Sequence, residues 1–244
     1  MLRGSLLKIL QNYYQNTDNL CIMYIEIKHI KKNFSRKKVL TDISLQVPPG
    51  SCVGILGSNG SGKSTLLSIL AGVQGRESGQ FLYNDKDLFQ NNALRSEIVA
   101  YVPQGNPLIG ELTAWDNLLL WYDKKTLKAE LTDGVLNILG ISEFIKVPVD
   151  KMSGGMRKRL SIGCAIAGQP KILLLDEPSS ALDLICKEHI YNYLKKFKAE
   201  GGSILLATHD AQELDLCDKW YILRNGLLTP YNYAGDIHDL AAQL

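Results

Sequence analysis

The sequence predicts an α/β fold: a mostly parallel sheet, an antiparallel β subdomain ahead of it and a helical subdomain inserted into it. Three observations carry that prediction. The short apolar runs Ser51–Leu56, Ile172–Leu175 and Ser203–Ala207 have the length and content of strands buried on both faces. Helical stretches separate them, which is the alternation a parallel sheet with helices on both faces requires. Near the start, Tyr24–Ile30 and Ile43–Val47 instead alternate apolar with polar residues, the pattern of antiparallel strands with one wet face.

Taken in order, residues 1–22 lack the long apolar core and small-residue cleavage site of a signal peptide. They read as an N-terminal extension, or as the product of an upstream start codon, with the domain opening at Met23. The segment 31–40, KKNFSRKKVL, reads as a solvated basic turn between the first two strands. A helix is expected over Lys63–Val73, and strands over Gln80–Tyr83 and Ile98–Val102. From 105 to 167 the pattern turns helical, with Leu112, Trp115, Leu118, Leu119 and Tyr122 at helix spacing. A further helix runs through Leu184–Phe197 and stops at Gly201-Gly202. The main domain is thus 23–230, with the helical subdomain 105–167 inside it and a short tail over 231–244.

Composition narrows the function. With 244 residues, 45% of them hydrophobic and 21% charged, the chain can bury a sizeable core. A net charge of +2 gives no reason to expect a nucleic-acid partner. The five cysteines (Cys21, Cys52, Cys164, Cys186 and Cys217) have no metal-ligand spacing and read as reduced thiols in the cytoplasm. No apolar run approaches the ~20 residues needed to span a bilayer.

Two stretches carry phosphate chemistry. Gly57, Ser58, Asn59, Gly60, Ser61, Gly62, Lys63 and Ser64 fit glycine, four residues, Gly-Lys-Ser, between an expected strand and an expected helix. In such a loop successive N–H groups wrap phosphates, the lysine adds charge at the β and γ phosphates, and the serine hydroxyl can ligate Mg²⁺. In KILLLDEP, four apolar residues run into Asp176-Glu177, so both carboxylates fall at the C-terminal end of a strand, where open α/β sheets place ligands. Asp176 suits a Mg²⁺ site and Glu177 is then free to orient an attacking water, since phosphoryl transfer needs positioning more than a strong base. A third stretch, MSGGMRKRL at 152–160, sets Ser153, Gly154 and Gly155 ahead of a basic helical run. Small residues there leave N–H groups uncovered, and uncovered N–H groups at a helix start attract anions.

With GSNGSGKS, MSGGM and ILLLDEP in this order, the chain resembles the ATP-binding cassette (ABC) ATPases, the nucleotide-binding subunits of ABC transporters, from about Met23 to Leu228. The resemblance implies a P-loop NTPase core that binds ATP and Mg²⁺ on Gly57–Ser64 and the adjoining Thr65. It implies an adenine-stacking aromatic, best matched by Phe34, and a glutamine in YVPQ, Gln104, that contacts Mg²⁺ and the attacking water. It further implies a switch histidine, His209, and a loop Ser180–Asp183 that signals between subunits. Ser153-Gly154-Gly155 matches the signature that closes on the γ-phosphate held by a second chain, so each chain reads two nucleotides. Met156 stands where many members have glutamine. That is familiar among cassettes serving separately encoded export-type membrane subunits, and the alternative is a weakened site. The implied partners are a second copy or a paralogous cassette, and a transmembrane permease that holds the chain at the inner face of the membrane. The permease would dock beside Gly105–Glu111 and the helix carrying Trp115, Leu118 and Tyr122. A soluble single-cassette ATPase acting on an assembly or remodelling partner is the alternative.

Overall fold

A computed structural model describes residues 24–243 except 36, 181, 209, 234, 236–239, 241 and 242. The N-terminal extension, Cys21 and His209 therefore lie outside the described residues. The described strands are β1 (Ile25–Phe34), β2 (Lys37–Val47), β3 (Cys52–Leu56), β4 (Ser78–Tyr83), β5 (Lys86–Asp87), β6 (Val99–Val102), β7 (Ile172–Asp176), β8 (Ser203–Ala207), β9 (Lys219–Arg224) and β10 (Leu227–Tyr231). The helices are α1 (Lys63–Ala71), α2 (Asn92–Ile98), α3 (Ala114–Leu118), α4 (Lys124–Thr132), α5 (Val135–Ile138), α6 (Gly154–Ala165), α7 (Leu184–Ala199) and α8 (Ala211–Leu216).

The strands join into one sheet in the order β5-β4-β1-β2-β10-β9-β3-β8-β7-β6. From β9 through β6 every neighbouring pair is parallel. The antiparallel strands expected as a subdomain are continuous with this half, joined where Leu227 of β10 registers with Asp42 of β2. Every residue of β3, β7 and β8 is buried. Successive side chains point to opposite faces, so each strand feeds two cores. Val53, Ile55, Ile172, Leu174, Leu205 and Ala207 face a core with Leu66, Leu67, Ile69 and Leu70 of α1 and the apolar face of β1 and β2. Leu173, Leu175, Ile204 and Leu206 face the other, with Leu160 and Ile162 of α6 and Ile190 and Leu194 of α7. Burying each such leucine or isoleucine contributes about 1.5–3 kcal/mol, which is why helices cover both faces.

Several expectations need correction. Residues 31–34 and 37–40 are not a turn: they lie in β1 and β2, and Phe34 pairs with Lys37. Lysines suit these positions because the hairpin's outer side is exposed. The alternation in β1 breaks at His29, whose φ of 52° marks a bulge that returns Ile30 to the buried face. The inserted segment is a set of short helices and 3₁₀ turns, not continuous helix. Helix α3 stops at Leu118, so its periodicity does not reach Tyr122. Strand β10 runs to Tyr231, one residue past the expected domain end, and two described residues beyond it, Tyr233 and Leu240, pack on the domain. There Leu240 joins Leu56, Leu214 and Ile222, and Tyr233 lies 5.8 Å from the Trp220 ring.

Candidate active site

Parallel register brings the chemistry to one edge. Ile55 of β3 lies opposite Ala207 of β8, which lies opposite Asp176 of β7; the neighbouring Leu175 faces Val102 of β6. With strands ~4.8 Å apart, the loops leaving β3, β8, β7 and β6 emerge side by side at the C-terminal end of the sheet. Those loops carry the phosphate loop, Thr208, the acidic pair and Gln104.

The phosphate loop ends in a helix start free of side-chain caps. Gly62 is the N-cap of α1, with φ 113°, no side-chain cap and no acidic residue in the first turn. A Cβ on Gly62 would strain that backbone and approach Val39 and Leu40 at 3.1 Å. Lys63 is 5% exposed, and its Nζ donates to the carbonyls of Gly57 (2.6 Å) and Ser58 (3.3 Å) at the centre of the loop. Burial pushes its ammonium below the ordinary lysine range, opposed by Glu177 and Asp176. Ser58, Asn59 and Gly60 are exposed, so the loop's concave side is open to an anion.

Burial raises the Asp176 pKa and Glu177 adds to the rise, while the Ser64 hydroxyl beside the carboxylate, with Lys63 and Lys158, opposes it. One carboxylate and one hydroxyl side by side are hard oxygen ligands of the kind Mg²⁺ takes together with substrate phosphates. Among the described residues no group of three or more His, Cys, Asp or Glu side chains could hold a metal by itself. The residues present therefore fit Mg²⁺ arriving with a nucleotide. Glu177, one residue on, sits at φ 48°, a conformation that costs a glutamate about 1–3 kcal/mol. Its N–H bonds to the Ala207 carbonyl at 2.8 Å, and its Oε2 accepts from Gln104 Nε2 at 3.1 Å.

At 152–160 the small residues do not precede the helix. Ser153 is the N-cap, and its hydroxyl accepts from Met156 N at 3.2 Å, while Gly154 and Gly155 form the first turn of α6. The two glycines answer different demands. A Cβ on Gly154 would meet nothing within 4 Å, whereas one on Gly155 would lie 2.4 Å from Cys186 Sγ. Ser153 and Gly154 are exposed, so this helix start also presents N–H groups outward.

The remaining predicted residues are more dispersed. Phe34 is 42% exposed at the tip of the β1–β2 hairpin, with Lys32 Nζ 5.0 Å from its ring centre. The same hairpin reaches the phosphate loop through Val39 and Leu40 against Gly62. Thr65 sits half-buried in the first turn of α1. Asp183 caps α7 by accepting from Cys186 N at 2.9 Å, a bond that holds its carboxyl below the usual range. The four described cysteines are free and buried.

Of the expected docking surface, Gly105, Pro107, Ile109 and Glu111 are exposed and Trp115 is half-buried, but two of the anchors are not exposed. Leu118 is fully buried, and Tyr122 is buried with its hydroxyl donating to the Gly163 carbonyl at 3.0 Å. Because α3 ends at Leu118, the chain turns there, leaving Leu120 and Trp121 58% and 65% exposed. Trp121 borders a cavity of about 370 Å³ with Tyr101, Pro107, Leu108, Cys164 and Ala165. Sequence periodicity missed Trp121 because it assumed an unbroken helix. It also missed Lys158, which looks like one more solvated cation but is 4% exposed and donates to the carbonyls of Pro103 and Gln104.

Comparison with known proteins bears on the family and the fold. Residues 40–180, more than half of the chain, match the model of the family described as ABC transporter. The sulfate/thiosulfate import ATP-binding protein CysA of Pseudomonas aeruginosa is 30% identical over 228 residues, covering 89% of this chain and 69% of that protein. The Nod factor export ATP-binding protein I of Sinorhizobium fredii is 33% identical over 83% of this chain and 60% of its own length. The linearmycin resistance ATP-binding protein LnrL of Bacillus subtilis is 30% identical over 83% of this chain and 67% of its own. Among solved structures, the ATP-binding subunit of an ABC transporter superposes with a TM-score of 0.77 at 26% identity, over 89% of this chain and 93% of that one. A dimeric ATP-binding cassette in a post-hydrolysis state, bound to ADP and phosphate, superposes at 0.74 and 26%, over 85% and 98%.

Proposed function

The chain belongs to the ABC transporter family as an ATP-binding subunit, an ABC ATPase, and from that premise we propose that it drives an exporter by closing and reopening a head-to-tail dimer around ATP. The observation that carries the reading is the meeting of Lys63, Ser64, Asp176, Glu177 and Gln104 at one edge of the sheet. In this reading the loop N–H groups and Lys63 bind the β and γ phosphates. Ser64 and Asp176, with Gln104, hold Mg²⁺, which when bound offsets negative charge on the phosphates. Glu177, steadied by Gln104, orients the water for in-line attack, and His209 contacts the γ-phosphate. Phe34 stacks on adenine. Ser153, Gly154 and Gly155 of the second chain close on the γ-phosphate across the interface, so loss of that anion weakens the dimer.

Among the described residues no helix is long and apolar enough to cross a membrane; in this reading a separately encoded permease supplies the spanning segments. Leu120 and Trp121 are its anchors, since both are exposed and Trp121 borders a cavity with Pro107 and Leu108, and an exposed tryptophan is a favoured contact. Through them the chain sits at the inner face of the membrane. The relatives are named for import and for export alike, so direction rests on Met156 in the signature. The test is an affinity pull-down from detergent-solubilised membranes of the native host, followed by mass spectrometry. A polytopic membrane protein in near-equal amount is the expected result. A chain recovered with soluble proteins alone would replace the transporter reading with assembly or remodelling.

A further inference from the structure

The basic stretch Arg157-Lys158-Arg159 has a structural role that the nucleotide chemistry does not use. Each of its side chains donates to main-chain carbonyls. Arg157 Nη1 bonds to Met152 O at 2.8 Å, while Arg159 Nη1 bonds to Leu139 O at 3.0 Å and its guanidinium stands 4.9 Å from the Phe144 ring centre. Both stay within the inserted helical segment. Lys158 alone of the three leaves it, with Nζ 2.8 Å from Pro103 O and 2.9 Å from Gln104 O. Gln104 is thereby gripped on two sides: its side chain by Glu177 at the sheet edge, its main chain by the signature helix.

We propose that Lys158 is a positioning residue that ties the Gln104 loop to α6, so that a nucleotide on the chain's own phosphate loop sets the orientation of Ser153–Gly155 toward the second nucleotide. The inference rests on the dimer reading above. Its physical basis is that a buried ammonium cannot give up its acceptors cheaply. The link therefore stays made while the parts around it move, and a displacement of Gln104 carries α6 with it. Lys158 lies five residues from Ser153, about 7.5 Å along a stiff helix, so little of that displacement is lost. A lysine that merely satisfied two carbonyls would stabilise the fold without linking one site to the other.

The experiment uses the full chain carrying Glu177→Gln, with Mg·ATP binding followed by a fluorescent ATP analogue and dimer formation by light scattering. Adding Lys158→Met should leave ATP affinity within about threefold but weaken ATP-dependent dimerisation at least about tenfold, a coupling of ordinary size. Lys158→Arg, which keeps a donor of similar reach, should restore the dimer. Unchanged dimerisation in Lys158→Met, an equal loss of ATP affinity, or no rescue by arginine would overturn the proposal. If Glu177→Gln alone binds ATP and stays monomeric, the dimer reading itself fails and this inference goes with it. A measurement on the unmodified chain guards against a misfolded variant. At dilutions where the chain is monomeric, Mg·ATP should slow hydrogen exchange of the amides of 154–160 together with those of 104–106. No change at 154–160 would refute the link.

Discussion

At the scale of single residues, the two signature glycines separate packing from chemistry. Gly155→Ala drives a Cβ to 2.4 Å from Cys186 Sγ, and overpacking of this kind costs about 1–3 kcal/mol. Gly154→Ala meets nothing, so thermal unfolding should show Gly155→Ala destabilised and Gly154→Ala unchanged or up to about 1 kcal/mol more stable. Lys63→Ala should abolish tight Mg·ATP binding, and normal affinity in that variant would refute the phosphate-loop assignment. Glu213 gives a pH test. Burial first, with Asp210 adding, pushes its carboxyl from 4.5 up to about 7, against a hydrogen bond from Thr208 and the charge of Lys187. Its folded pKa is raised, so the folded chain keeps a proton that the unfolded chain releases. Stability from this group is full below about pH 4.5 and is lost as pH rises to about 7. In urea unfolding, Glu213→Gln should therefore gain on the unmodified chain between those pH values, by an amount on the order of 3 kcal/mol. A constant difference across the window would show that Glu213 is not held protonated.

At the scale of elements, α1 is held by apolar contact and Leu70, fully buried on it, should cost about 2–5 kcal/mol when cut to alanine. Trp121 and Tyr122 are neighbours with opposite tasks. Tyr122→Phe removes a buried bond to Gly163 and should cost about 0.5–1.5 kcal/mol. Trp121→Ala should leave ATP hydrolysis and unfolding alone and abolish recovery of the membrane partner. These contrasts mark what the sequence could convey. Strands β3, β7 and β8 were legible because full burial on both faces writes an unbroken apolar run. The phosphate loop and acidic pair were legible because their chemistry demands fixed residue types at fixed spacing. Strands β9 and β10 were not read, since β9 mixes buried Ile222 and Leu223 with exposed Lys219 and Arg224, and Pro230 stands within β10. Lys158 and Trp121 were illegible for a related reason. Their exposure is decided by where α3 ends and what α6 packs against, and neither is a local property of the chain.

At the scale of the whole molecule, the proposed reading, in which each chain needs a second signature, makes the working unit a pair. ATP hydrolysis per chain should rise with chain concentration and level off once dimers predominate; a rate per chain that is flat across dilution would rule the dimer out of catalysis. Glu177→Gln should collect ATP-bound dimers, and a variant that turns over normally would remove Glu177 from its role. The sheet also separates two jobs in space. The acidic pair and Gln104 lie at the C-terminal edge of the parallel strands, while the exposed Leu120 and Trp121 lie in the turn that follows α3 on the inserted segment. On the proposed reading, substitutions confined to the exposed Leu120 and Trp121 leave the buried core untouched, so a lineage exchanges one membrane partner for another while its motor is inherited unchanged. Relatives of nearly equal similarity whose names record opposite directions of traffic are the pattern such an exchange leaves.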